Sequence, residues 1–342
     1  MAIDRIEKWK EIHQAAIELY SLAPWDYLEE TDIFGVRTSV TGKTYFISIM
    51  GSAGQFLALS AYEGSRALER FWEMQSDRQD DPSQILLIPH LMLSFEDKNE
   101  VGKIQKEIVK ESGVFSASNK KWPVVHQYIP GLMPAIPQGE YLDDMAEIIP
   151  QVIDVCLRSE VDIDLILPDE DDDETYLIRE PVKTKGKTSW RDRRRKVKAE
   201  PETFKAIISQ EDIEPLRFFR KTQTVYQADY RMVPAPVREE GNPEYFPFVI
   251  MLADKKSGII AGHDMIPPLP DYHSMVESIP LIIVDLIKNL RLRPLRIEVR
   301  DQVLYELLKP AMARCEININ LARSLASFEE AYKEMSKHFM KR

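Results

Sequence analysis

A mixed α/β (α+β) protein of two domains is what this sequence predicts, and three observations predict it. At 342 residues, 44% hydrophobic and 30% charged, the chain is long and apolar enough for two cores that need neither disulfides nor metals. Stretches of helical period are interspersed with short β-prone runs bounded by Gly and Pro turns. Near residue 200 the composition shifts twice, from the acidic run at 169–174 to the basic run at 183–198, which divides the chain into domains 1–200 and 201–342.

In the first domain, Ile6, Trp9, Ile12, His13, Ala16 and Ile17 recur at helical spacing, so an amphipathic helix is expected over 3–22, ending near Pro24. The β-prone runs 34–40, 45–50 and 56–62 are separated by Thr41-Gly42-Lys43 and Gly51-Ser52-Ala53-Gly54, which predicts a meander of hairpins. A helix follows over 65–75, then a strand over 85–95, a short helix over 102–111 and a longer one over 141–157. Between the last two, residues 121–137 are dense in proline and aromatic side chains. An ordered, packed loop is expected there, because Trp122, Tyr128, Leu132 and Met133 are costly to leave in water. Residues 175–182 form a strand that turns at Lys185-Gly186-Lys187 and returns through Trp190.

The second domain opens with short helical pieces after 205. Strands are expected over 225–233, 246–253 and 259–265, the last two joined by the turn Asp254-Lys255-Lys256-Ser257-Gly258. A helix over 275–290 is opened by Ser274 with Glu277 three residues on, a capping box. A fourth strand over 295–299 leads to a helix over 302–314 that Pro310 should bend or end. A β-prone piece at 317–319 and a last helix over 328–339 complete a layout of three meandering strands followed by alternating helix and strand. That order is RNase H-like.

Charge excludes some functions. A net charge of -11 and a pI near 5.2 repel polyanions, so nucleic acid or an anionic membrane would have to be met by a local basic patch. Cys156 and Cys315 are far apart and lie in no Cys/His cluster, which predicts buried free thiols. Residues 1–10 lack the apolar core of an export signal, and the longest apolar run, 279–287, falls short of a bilayer span; a cytoplasmic protein without membrane contact is expected.

No complete catalytic motif is present. Gly51-Ser52-Ala53-Gly54 lacks the Gly-Lys-Ser/Thr ending of a phosphate loop and reads as a hairpin turn. His263, Asp264, Asp271 and His273 carry ligand chemistry but no ligand spacing, and the prolines among them predict an extended loop. The sharpest constellation is Asp229, on the first strand of the second domain, with Asp301 just after the fourth and a late glutamate, Glu330 or its neighbours Glu329 and Glu334. The segments 225–230 and 295–301 resemble the first and fourth strands of an integrase-type core. There, two such acids and a helical carboxylate hold two divalent ions for phosphoryl transfer, so the resemblance implies Mg²⁺ or Mn²⁺ here. Gln302 stands where integrases carry Asn-Gly, and Asp301 equally suits a helix N-cap. Two further sites are readable. Lys187, Trp190, Arg193, Arg194 and Arg195 combine cations with an aromatic ring, as a nucleic-acid contact requires; a solvated charged hairpin paired with the acidic run is the alternative. Trp25, Trp122 and Tyr128 are candidates for a small-molecule pocket wall.

Ala23-Pro24-Trp25-Asp26-Tyr27-Leu28, Ser48-Ile49-Met50-Gly51, Ala61-Tyr62-Glu63-Gly64 and Tyr128-Ile129-Pro130-Gly131-Leu132-Met133-Pro134 resemble an uncharacterised bacterial two-domain family, both halves of which are domains of unknown function. The resemblance implies a bacterial origin and the two-domain split, and transfers no catalytic residue, cofactor or partner. The expectation is a non-catalytic binding or interaction protein with a degenerate RNase H-like domain; the alternatives are a Mg²⁺- or Mn²⁺-dependent nuclease or strand-transfer enzyme, and a small-molecule sensor. A protein partner or a local nucleic-acid contact fits the first of these.

Overall fold

The structure is a computed structural model that describes residues 5–54, 56–76, 82–114, 120–168, 172, 174–184 and 186–339. The chain divides into two compact units, Met1–Ile129 with Pro134–Glu200, and Pro130–Met133 with Pro201–Arg342.

The first unit is built on β1 (Phe34–Arg37), β2 (Thr44–Met50), β3 (Ala58–Glu63), β4 (His90–Asp97), β5 (Lys121–Tyr128), β6 (Thr175–Thr184) and β7 (Lys187–Lys196). They form one sheet in the order β5-β4-β3-β2-β1-β6-β7. All neighbours are antiparallel except β1 and β6. One face packs on α1 (Ile6–Leu22), α3 (Lys103–Ser112) and α4 (Glu140–Ser159), burying Trp9, Ile12, Ile108, Met145, Ile148 and Val152. On the other face, α2 (Gly64–Ser76) places Ala67, Leu68 and Phe71 against Phe46, Tyr62 and Ile178.

Two expectations are corrected here. Residues 85–87 belong to a 3-10 turn, Pro82–Leu87, so the strand begins only at His90. The expected packed loop after 121 is instead strand β5. Pro123 is tolerated in it because β5 is an edge and its missing N–H faces no further strand. Lys185 of the β6–β7 turn and most of the acidic run (169–171 and 173) lie outside the described residues.

Gly35 lets β1 and β6 approach. A Cβ at this position would sit 2.3 Å from Cδ1 of Ile178. Gly35→Ala is therefore expected to lower the stability of this unit by about 1–3 kcal/mol through overpacking. Urea unfolding would check it; an unchanged midpoint would mean that Ile178 swings aside without cost.

The second unit pairs β9 (Val225–Met232), β10 (Phe248–Asp254) and β11 (Ile260–Ile266) as an antiparallel meander and adds β13 (Arg296–Val299) and β14 (Asn318–Leu321) in parallel. The order β11-β10-β9-β13-β14 is the RNase H-like layout expected from sequence. Two-residue strands β8 (Arg220–Lys221) and β12 (Leu292–Arg293) pair separately, after the short helix α5 (Gln210–Ile213). Two helices, α6 (Tyr272–Leu290) and α7 (Gln302–Arg314), bury Ile279, Ile283, Leu304 and Leu308. The last helix, α8 (Ala326–Phe339), lays Phe328 and Ala331 on Met251 and Ala253.

The N-cap of α6 is Asp271, whose carboxylate accepts from the Ser274 N–H at 2.7 Å; Ser274, expected as the cap, lies inside the first turn. Helix α7 runs on past Pro310. Pro310 and Glu306 are both exposed, so the carbonyl left without an N–H partner faces water. Residues 130–133, expected with the first domain, join the second unit: the Gly131 carbonyl accepts from Phe246 N at 2.8 Å.

Candidate functional site

Strand alternation sends Gln227, Asp229 and Arg231 of β9 to the face that α8 covers. Register pairs Asp229 with Met251, which touches that helix. Gln227 Oε1 accepts from Ser327 N (2.9 Å) and Phe328 N (3.2 Å), so this strand residue satisfies the first turn of α8.

Asp229 is 1% exposed. Its Oδ1 accepts from Tyr230 N at 3.0 Å, and its Oδ2 lies 3.0 Å from Arg231 Nη1 and 3.9 Å from Arg300 Nη2. Both guanidiniums also reach Glu329 Oε1, at 2.9 and 3.3 Å. Two acids and two arginines thus close a ring in which the charges balance. Burial pushes the Asp229 carboxyl up to about 6, and the nearby arginines only partly oppose it.

Of the other expected members, Asp301 lies close enough for its charge to add to the rise of the Asp229 carboxyl, and Glu329 meets Asp229 only through the two arginines. Asp301 caps α7, its Oδ1 accepting from Leu304 N at 2.6 Å. Glu330 is exposed on α8 while Glu329 turns inward, a difference of one helical step that no sequence signal decides. Mg²⁺ or Mn²⁺ does not fit these residues: Asp229 faces two guanidiniums and Asp301 is engaged by backbone. Among the described residues no group of three His, Cys, Asp or Glu side chains is placed to hold a metal ion. His263 and Asp264 lie on β11 rather than in a loop, while His273 stacks on Phe204 at 4.3 Å. Asp254 serves its turn, accepting from Lys256 N and Ser257 N.

The basic hairpin is split by its own pleat. Trp190 packs, half-buried, against the core formed with α1 and α4. Asp192, on the same face, binds Arg158 and Arg179 at 2.5 and 3.0 Å. Although burial opposes it, these two guanidiniums hold the Asp192 carboxyl below its usual range. Arg194 is committed to the carbonyls of Leu167 (2.7 Å) and Asp164 (2.9 Å). Arg193 and Arg195 project from the opposite face, towards the buried Glu180, and Lys187 is exposed at the hairpin's start. Of these cations only Arg194 shares the face of Trp190, and its guanidinium is taken up by backbone carbonyls.

Trp25, Trp122 and Tyr128 form no common wall. Trp25 sits edge-on to Phe95 in the main core. Trp122 is buried with Val101, Val109 and Val124, beneath Lys98. Tyr128 stacks on His90 at 4.0 Å. Cys156 and Cys315 are buried free thiols, as expected, and burial pushes Cys156 up to about 12. No helix among the described residues is long and apolar enough to cross a membrane.

Comparison with known proteins agrees with this picture of two units. No curated protein sequence matches the chain. Among solved structures, the catalytic core domain of BIV integrase in crystal form I is similar at 12% identity and a TM-score of 0.26, over 34% of this chain and 68% of that one. Residues 212–336 match a model described as a domain of unknown function, DUF6930. Residues 9–179, half of the chain, match another, DUF7309, so the protein belongs to the DUF7309 family of domains of unknown function.

Proposed function

We propose that this protein is a non-catalytic binding protein whose RNase H-like unit uses its would-be metal positions for structure. The observation that carries this reading is the engagement of Asp229 Oδ2 by Arg231, with Arg300 close by, beneath α8. A divalent ion would have to enter beside two guanidinium charges that already face the buried carboxylate, and like-charge repulsion in a buried setting opposes it. Asp301 has one carboxylate oxygen tied to the Leu304 N–H as the cap of α7, which supports a structural role for it as well. A cytoplasmic location belongs to the same reading and is supported by the two buried, unpaired thiols.

The test is calorimetric titration of the full chain with Mn²⁺, beside the Asp229→Asn variant, together with incubation on single- and double-stranded DNA. Neither protein is expected to give saturable heat or to cleave. Stoichiometric Mn²⁺ binding that disappears in Asp229→Asn, accompanied by cleavage, would overturn the proposal and restore the enzyme.

A further inference from the structure

On the face of the β6–β7 hairpin opposite Trp190, one acid organises three cations. Glu180, with its side chain 5% exposed, lies 2.5 Å from Arg195 Nε, 3.6 Å from Arg193 Nε and 3.8 Å from Arg191 Nη2. All three arginines remain roughly half exposed, so one carboxylate leaves this ladder with surplus positive charge on a protein that is acidic overall.

The ladder borders an open cleft of about 450 Å³, within the general range of small-ligand sites. Arg195, Arg37 and Lys198 bring cations to it. Arg37 is steadied by its Nε bond to the Gly42 carbonyl at 3.1 Å. Gly64 and Ser65, the first residues of α2, open into the same space. That first turn carries no acidic side chain, so the positive end of a 13-residue helix adds to the field of the arginines. Phe46 and Ile178 supply an apolar floor.

We propose that this cleft binds a phosphate monoester: the phosphate meets Arg37, Arg195, Lys198 and the first N–H groups of α2, and the organic part lies over Phe46 and Ile178. The proposal gives a ligand class to the binding role stated above and rests on it. Tetrahedral phosphate oxygens suit guanidinium forks and helix N–H groups together. A compact anion is favoured over a nucleic acid for two reasons. The net charge of -11 opposes a long polyanion, and Trp190, the aromatic ring of β7, is turned to the other face and stacks no base beside the arginines.

The experiment titrates the full chain, in buffer containing a chelator, with inorganic phosphate and separately with adenosine 5′-monophosphate, by calorimetry and thermal unfolding. Saturable binding of both is expected, tighter for the nucleotide. In the double variant Arg37→Ala/Lys198→Ala, whose side chains are exposed and whose fold is checked by circular dichroism, affinity should fall about tenfold or more. Lys187→Ala should leave it unchanged. Absence of saturable binding by either probe, or equal affinity in the double variant, overturns the proposal. So does a short oligothymidylate that binds with steep salt dependence and ignores the double substitution, which would assign the arginine ladder to a nucleic-acid backbone. Chelated buffer separates this result from the Mn²⁺ test: phosphate binding can fail while the unit around Asp229 still takes no metal, and the converse is equally readable.

Discussion

Acidification from about pH 7 to about pH 4 is expected to remove about 5–6 kcal/mol of stability from the first unit, comparable with the whole stability of an ordinary domain. Two buried histidines carry the effect. His13 is fully buried on α1 with Nδ1 2.7 Å from Ser112 Oγ, and His90 on β4 has Nδ1 2.7 Å from the Ile88 carbonyl while its ring stacks on Tyr128. Burial lowers each from 6.5 to about 4. The folded rings therefore stay neutral while the unfolded chain takes up protons, so stability falls as pH drops from 6.5 towards 4. His126, also lowered by burial despite Glu96 nearby, acts in the same sense. Urea unfolding at stepped pH, with hydrogen exchange reporting each unit, measures this. His90→Phe, which keeps a flat ring beside Tyr128, should remove about half of the dependence. A first unit equally stable at both ends of the range would refute the account.

The second unit is expected to respond with the opposite sign. Asp229 has a folded pKa raised from 3.8 to about 6, so the folded state holds a proton that the unfolded state has released. Stability from this group is present below the unfolded value and is lost as pH rises through about 6, a difference of about 3 kcal/mol. Asp229→Asn, a neutral isostere, should therefore leave the second unit at least as stable as wild type at neutral pH and abolish its gain on acidification. The same unfolding experiment reads both effects, because exchange separates peptides of the two units. A variant that is several kcal/mol less stable at neutral pH would show instead that the ionised carboxylate, by neutralising Arg231 and Arg300, holds α8 in place.

The elements that sequence made legible are those where local pattern and tertiary environment agree. The amphipathic periods of α1, α4 and α6, the hairpins of the first sheet and the strand order of the second unit all follow from spacing and turn residues. Failures fall where the environment overrides a local signal. Pro123 sits in a strand because that strand is an edge, and the cap of α6 lies three residues before the capping box. In the candidate sites, Asp301 was readable as a cap from its place before a helix, whereas Arg231, Arg300 and Glu329 come together from three distant segments.

Spacing, turn residues and composition are enough to show that two mixed α/β units form, that the second has an RNase H-like order, and that no complete catalytic motif runs along the chain. What the charged residues do follows instead from how the chain folds. Strand pleating put Trp190 on one face and the arginine ladder on the other, and chain folding brought Arg37, Arg195, Lys198 and the start of α2 to one cleft. Helix packing over β9 turned Asp229 from a candidate metal ligand into a buried ion-pair partner. A charge takes its role from burial and from the charges within a few ångströms of it, and both are set by residues remote in sequence.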